Sequence, residues 1–397
     1  MKKVVIIFLL LIIPINIKAM DFPSVNSKYV EVYDRLEDKV LYEKDSNKKV
    51  SIASLTKIAT TITAIENIKD LEQNVTVTEN ILSTVRWDAS VAGLKNGDVL
   101  TYKDLLYASM LPSGADATNT IAIASSGSVE NFVKKMNALV DKIGLINTHF
   151  ENVTGLDSDN HYSTVDDVRK LLNYALNNEL FKTIYTTKEY ALSNGLVVKT
   201  TLGTYTKNSN VDISKILGSK SGYTLNAGLC LSSLINKSNH EIIILTLNAP
   251  RNDNIFYNLL DTKKIIDFID KNYDIQLLVN KDKVIKTIPV ELSSVDNYEI
   301  KVKEDIYKFL PNDYNVDLFR KEYTGIGELS YKNKLNDKIG TIKYYYNNEL
   351  IREDDVILDI EFKFNLLKYI KRHIVVIILI CISILILSIY LIIKKRK

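Results

Sequence analysis

Ser54-Leu55-Thr56-Lys57 sets a hydroxyl and an amine three residues apart. On a helix such side chains share a face, so Lys57 could hold its amine beside the Ser54 oxygen. Serine alone is a poor nucleophile and needs an adjacent base. A lysine can act as that base only if burial or a neighbouring positive charge lowers its pKa. The same spacing recurs in Ser46-Asn47-Lys48-Lys49, but there it lies in a polar turn with no apolar helix behind it to bury the lysine. Ser54 is therefore the candidate nucleophile. Ser113-Gly114-Ala115 follows Pro112 between two apolar stretches, and its hydroxyl could relay a proton to a leaving amine. Lys220-Ser221-Gly222 opens a strand-like run. There a cation and hydroxyls on a strand edge could hold a carboxylate, and Gly222 would let a substrate backbone come close.

These segments need elements to position them. Val30–Tyr42 reads as a strand hairpin ending at the polar cluster Glu43–Lys49. From Ser54, apolar Leu55, Ile58, Ile62 and Ile65 recur at helical spacing. Thr101-Tyr102-Lys103-Asp104 has the form of a capping box before a helix that Pro112 ends. Ala115–Ala124, Asn131–Ile143 (closed by Gly144) and Thr164–Ala175 are predicted helices. Ala227–Leu234 and Glu241–Leu247 read as strands joined by a turn at Asn236–Asn239, and Asp261–Tyr273 as a helix. A helical middle flanked by strands predicts an α+β domain over 20–275 whose sheet pairs early and late strands. Beyond it, Thr287–Leu292, Tyr298–Val302, Lys338–Tyr345 and Asp355–Phe362 read as short strands of a small β-rich domain, 276–363.

The ends of the chain carry membrane signals. Lys2-Lys3, the apolar run Val4–Ile13 and a cleavage point after Ala19 have the order of a signal peptide over 1–19, with an uncleaved anchor as the alternative. The uncharged stretch Ile374–Ile393 is 20 residues long. At about 1.5 Å per residue it matches a hydrocarbon layer of about 30 Å, so a transmembrane helix is predicted. Its basic flank, 394–397, would be the cytoplasmic tail, leaving the catalytic domain extracytoplasmic on a single-pass anchor.

The 51 basic and 48 acidic residues give a net charge of +3, but ten of the basic residues lie in 1–19 and 366–397. The region between carries 41 basic against 48 acidic residues, a net of −7, which argues against a nucleic-acid surface. The two cysteines, Cys230 and Cys381, fall one in the exported part and one in the span, so no disulfide joins them. His149, His161, His240 and His373 form no ligand pair at metal spacing, and packing or hydrogen bonding is the role read for His149 and His161. No metal or cofactor is predicted.

Ser54, Ser113 and Lys220 lie in the order of the serine acyl-transferase motif set. The likeness extends to Leu94-Lys95-Asn96-Gly97-Asp98, Asn147-Thr148-His149-Phe150, Gly155-Leu156-Asp157, His161-Tyr162-Ser163-Thr164 and Ala227-Gly228. The chain thus resembles the low-molecular-mass penicillin-binding proteins, the serine-type D-alanyl-D-alanine carboxypeptidases. The resemblance is strong over 25–270 and weaker over the β-rich segment, which looks like the family's accessory domain.

It implies a β-lactamase/transpeptidase-like domain, an antiparallel sheet with a helical subdomain, followed by the β-rich domain and the transmembrane helix. It also implies peptidoglycan stem peptides as substrate and β-lactams as inhibitors. Ser54 would be the nucleophile, Lys57 the base and Ser113 the proton relay. Lys220, Ser221 and Thr224 would bind the terminal carboxylate, and the backbone N–H groups of Ser54 and Tyr223 would form the oxyanion hole. Two positions depart from the family: Ala115 stands where Asn is usual, and Ser221 where Thr is usual. A non-catalytic receptor for wall peptides and a secreted β-lactamase are the alternative functions. Oligomeric state is not legible in the sequence.

Overall fold

The computed structural model describes residues 22–209, 211–252 and 255–395, so the predicted leader lies outside the described residues. The chain divides into two compact units, with the boundary between Asp274 and Ile275.

The first unit is built on a five-stranded antiparallel sheet of β1 (Tyr29–Asp34), β2 (Lys39–Lys44), β3 (Ile216–Thr224), β4 (Gly228–Lys237) and β5 (His240–Ala249). The strand order is β2-β1-β5-β4-β3, so early and late strands pair as the sequence predicts and β3 forms one edge. Strands β4 and β5 meet at the two-residue turn Ser238-Asn239, both at positive φ (51° and 68°). Such a turn matches the twist of its flanking strands, so both strands run longer than the sequence suggests. The unbroken apolar run in β5 follows from cover on both faces. Ile243, Leu245 and Leu247 belong to the core shared with the helices, whereas the Thr246 hydroxyl on the other face lies 3.2 Å from the Asn258 carbonyl.

Helix α1 (Thr56–Asn67) lies at the centre of this unit. Its apolar spacing predicts one buried stripe, yet every residue from Thr56 to Ala64 is buried. Around it lie α2 (Tyr102–Met110), α3 (Ala115–Ser126), α4 (Val129–Ile143) and α5 (Val165–Ala175). The capping box forms as predicted: the Thr101 hydroxyl accepts from Asp104 N (3.0 Å) and the Asp104 carboxylate accepts from Thr101 N (3.2 Å). Short elements escape the sequence pattern, among them the helix Glu179–Thr186 and the hairpin Glu189–Ala191/Val197–Lys199. Helix α6 spans Tyr257–Asn272 and starts four residues before the predicted Asp261.

The second unit is β-rich, with a core that includes Ile288, Val290, Ile300, Ile342 and Tyr344. Its strands include Val284–Glu291, Asn297–Lys301 and Lys338–Tyr346, close to three of the predicted ones. The fourth prediction, Asp355–Phe362, is displaced: the strand is Glu349–Ile357. The turn at Asn347-Asn348 starts it at once. Its charged middle hides it from hydrophobic patterning, because this strand's exposed side pairs charges across to its neighbour, as in Lys338–Asp355 (2.5 Å). Strands Tyr273–Val279, Ile306–Pro311 and Phe319–Gly325 are additions. The final helix, α7 (Leu366–Lys395), is long and apolar enough to cross a membrane.

In the first unit one carboxylate secures the start of the described chain. Buried Asp261 accepts from Asn26 N and Nδ2 (both 3.0 Å) and from Ser27 N and Oγ (both 2.7 Å). Hydrogen bonds to a charged group contribute more than neutral ones. Asp261→Asn is expected to cost about 2–3 kcal/mol, read as a lower urea midpoint at unchanged slope.

Candidate active site

Ser54 does not sit on α1 itself but in the single 3-10 turn Ala53–Leu55 that leads into it. The three-residue spacing still works, since side chains three apart eclipse in that geometry. Lys57 Nζ lies 3.2 Å from Ser54 Oγ and donates to the Thr154 carbonyl at 2.9 Å. Because α1 is enclosed, burial pulls the Lys57 amine down to about 7, against an opposing pull from Asp116. A lysine near that value is a base at neutral pH.

The edge strand β3 packs against the nucleophile turn. Glycine is required at 222 for a reason other than the predicted one. A Cβ there would lie 2.7 Å from Ser54 N and 2.9 Å from the Ala53 Cβ, so Gly222 lets β3 itself close on the nucleophile. Lys220 is buried on this strand, and its amine donates to the Ser221 carbonyl at 2.9 Å. Burial holds Lys220 well below the ordinary lysine range, and the Lys57 amine pushes it the same way. Two desolvated amines therefore lie close enough for the charge of one to act on the other.

Ser113 occupies the loop between α2 and α3. Its φ is +65°, it is buried, and its Oγ has no protein partner. A non-glycine residue held in that backbone region stores about 1–3 kcal/mol of strain. Thr201, which the sequence pattern does not single out, ties this loop to β3. Its N–H donates to the Leu111 carbonyl (3.1 Å) and its hydroxyl lies 2.6 Å from Ser221 Oγ. These links tie the loop that carries Ser113 to the strand that closes on the Ser54 turn. Thr224 is engaged differently, since its hydroxyl donates to Asp157 Oδ1 at 2.7 Å. Tyr223 follows Gly222 on β3, with the Arg251 guanidinium 4.3 Å from its ring centroid.

Ala115 is buried at the start of α3. The polar residues after it are committed elsewhere. Asp116 accepts from the N–H groups of Ala92, Gly93 and Leu94 at 2.8–3.0 Å, and Asn119 donates to Thr84 Oγ1 at 2.9 Å. Lys57 is held instead by the turn at Asn152, whose Oδ1 accepts from the N–H groups of Thr154, Gly155 and Leu156.

A further clamp was not legible as such. Ala53, just before the nucleophile, also has positive φ (47°). Its carbonyl accepts from Thr56 Oγ1 at 2.9 Å, and a Cβ on Gly155 would fall 1.8 Å from the same oxygen. His161 Nδ1 accepts from Glu151 N at 3.1 Å, so the proton lies on Nε2, which donates to Thr56 Oγ1 at 2.8 Å. Donor by donor, the imidazole fixes the peptide that aims Ser54.

With this geometry in view, comparison with known proteins is informative. Residues 16–251 match the family described as D-alanyl-D-alanine carboxypeptidase, and 273–364 match the C-terminal domain of penicillin-binding protein 5. The D-alanyl-D-alanine carboxypeptidase DacF of Bacillus subtilis is 28% identical over 343 residues, 83% of this chain and 84% of the relative. Among solved structures, penicillin binding protein 5 of Haemophilus influenzae superposes with TM-score 0.62 at 22% identity, covering 86% of this chain and all but 1% of its own length (99%). The Streptomyces K15 DD-transpeptidase gives TM-score 0.57 at 27% identity, over 63% of this chain and 98% of its own.

The chain belongs to the D-alanyl-D-alanine carboxypeptidase family. It is a serine-type enzyme of the low-molecular-mass penicillin-binding class, with that class's β-lactamase-like fold and C-terminal β domain.

In this carboxypeptidase desolvation of the buried His161 ring, with a smaller push from His149, outweighs the pull of Glu151 and Asp157 and lowers its pKa to about 4. The unfolded chain takes up this proton near pH 6.5. Stability is therefore full above pH 6.5, falls as pH drops towards 4, and levels off below. The loss attached to His161 is on the order of 3 kcal/mol. His161→Gln, which can accept and donate at the same two places without titrating, is expected to remove this component in urea titrations at pH 7 and pH 4.5. An unchanged pH dependence would count against the neutral clamp.

Proposed function

We propose that Ser54, Lys57, Ser113, Lys220 and Ser221 form the catalytic centre that removes the terminal D-alanine of peptidoglycan stem peptides. The observation that carries this is the buried Lys57 amine 3.2 Å from the Ser54 hydroxyl, with a second buried amine, Lys220, near enough to be repelled by it. Lys57, near its midpoint at neutral pH, can take the Ser54 proton as Oγ attacks the penultimate carbonyl. Lys220 is a cation site short of an anion, and a substrate's terminal carboxylate supplies one, keeping the amine protonated. This selects chain ends over internal peptide bonds.

The backbone N–H groups of Ser54 and Tyr223 would hold the oxyanion, one on the nucleophile turn and one on β3. As the C–N bond breaks, the proton taken by Lys57 passes through Ser113 to the departing D-alanine amine. Water then cleaves the acyl-enzyme with Lys57 again as base. In this scheme Thr224 holds the end of β3 through Asp157 rather than meeting the substrate directly. β-Lactams acylate Ser54 in the same way. The terminal helix spans the membrane once, with the catalytic unit outside the cell and the basic tail inside.

The test is D-alanine release from a stem pentapeptide by the purified full-length protein, beside covalent penicillin labelling. Ser54→Ala is expected to abolish both, and penicillin labelling without D-alanine release in the wild type would overturn the carboxypeptidase reading. Because free-base Lys57 is required, kcat/KM should rise as pH increases through about 7 and fall again where Lys220 loses its proton; a profile with no rising limb would remove Lys57 from the role of base.

Ser113→Gly separates chemistry from folding. It relieves the positive φ at this position, so the melting temperature should not fall. D-alanine release should drop about 100-fold. Unaltered release would exclude Ser113 as the relay.

A further inference from the structure

We infer that Thr201 is a positioning residue for substrate binding: its hydroxyl fixes the rotamer of Ser221 and, once a carboxylate is bound there, donates into a chain of two hydroxyls that ends on it. This rests on the reading of Lys220 and Ser221 as the carboxylate site. A serine carries one heavy atom on Cβ, so its Oγ can occupy any of three staggered positions. A β-branched side chain is restricted at χ1, and serine is not. Strand β3 therefore places the Cβ of residue 221 but does not by itself aim the hydroxyl.

The neighbouring amine does not aim it either, because Lys220 Nζ donates to the Ser221 carbonyl rather than to its side chain. Among the described residues the partner of Ser221 Oγ is Thr201 Oγ1, at 2.6 Å. Thr201 can serve as a fixed post because its backbone is held on both sides. Its N–H donates to the Leu111 carbonyl at 3.1 Å, and the N–H of Thr200 donates to the Lys188 carbonyl at 2.8 Å. Its own carbonyl accepts from Thr204 N at 3.1 Å, in the first turn of the helix Leu202–Ser209. Lys188 Nζ in turn donates to the Ile216 and Leu217 carbonyls, both at 2.7 Å, where β3 begins. The stiff, β-branched side chain of this hydroxyl pair is thus on Thr201, which is anchored to β3 and to the loop of Ser113.

The protons of the pair are ordered by the ligand. Before a carboxylate arrives, either hydroxyl can donate to the other. A carboxylate only accepts. When it binds, the Ser221 proton turns to it, and the Ser221 oxygen then accepts from Thr201. Each bond in such a chain polarises the next, which strengthens the one that reaches the anion. Lys220 supplies the charge that attracts a chain end, and the hydroxyl pair supplies the direction in which that end must lie. Thr201 acts through Ser221 and does not touch the substrate.

Steady-state release of D-alanine from a stem pentapeptide by the full-length protein tests this. Thr201→Val keeps the shape of the side chain and the backbone bond to Leu111 but removes the hydroxyl. It is expected to lower kcat/KM about fivefold, through a higher KM with little change in kcat, because the lost bond serves ground state and transition state alike. Thr201→Ser retains a hydroxyl and should stay within about twofold of wild type. The same valine substitution is then made in a Ser221→Thr background, where the side chain at 221 carries its own stiffness. There it should cost less than about twofold, which a double-mutant cycle reads directly.

Wild-type kcat/KM in Thr201→Val would overturn the inference and leave the carboxylate site intact. An equal loss in Thr201→Ser and Thr201→Val would assign the effect to packing, and a loss carried by kcat alone would assign it to the chemical step; either also overturns it. So does an equal cost of the valine in both backgrounds. A wild type that releases no D-alanine would remove the carboxylate site and this inference together.

Discussion

The proposed chemistry depends on removing one amine from water. A solvated lysine stays protonated at neutral pH and cannot accept a proton from serine. Lys57 escapes because α1 is enclosed on all sides, with Thr60, Thr61 and Thr63 buried beside the expected Ile58 and Ile62. Those threonines explain why the helix looks only half-buried in sequence: they are polar yet buried, and Thr60 Oγ1 donates across to the Val153 carbonyl at 2.7 Å. The turn at Asn152 then supplies carbonyls to both Thr60 and Lys57, so the same segment seals the helix and holds the base.

Around this centre the backbone is strained where the chemistry needs it. Ala53 and Ser113 both hold positive φ, one beside Ser54 and one at the proposed relay. Such conformations persist only where neighbours over-determine them. At Ala53 the neighbours are identifiable: Gly155 approaches so closely that no side chain would fit, and Thr56, held in turn by His161, fixes the carbonyl. Gly222 does the corresponding work from the sheet side. The three glycine or alanine positions that look like simple spacing in the sequence are thus the points where backbone meets backbone.

What the sequence made legible divides along the same line. Period and capping gave the hairpin at β1–β2, the box at Thr101–Asp104 and the long helices, because these signals are local. The nucleophile's position in a 3-10 turn, the engagement of Thr224 by Asp157, and Thr201 as a link between Leu111 and Ser221 depend on contacts between distant segments, which no local pattern encodes. In the β-rich unit the error at Glu349–Ile357 has a different source. An exposed strand stabilised by charge pairs carries little hydrophobic alternation, and in the structure its start is set by the turn at Asn347-Asn348.

The substitution at Ala115 bears on how the two amines share charge. With no amide side chain at this position, the Lys57 amine meets the Thr154 carbonyl and the Ser54 hydroxyl. A carbonyl accepts from an ammonium and, more weakly, from a neutral amine, so it holds Lys57 in place through a proton cycle without favouring its deprotonated state. The balance is then left to burial, to Asp116 and to Lys220. In the proposed mechanism an incoming carboxylate settles that balance: it makes the proton on Lys220 favourable, and the repulsion between the amines then favours the neutral form of Lys57. Substrate binding at one lysine would in this way prepare the other, and a ligand lacking the carboxylate would forfeit activation as well as affinity.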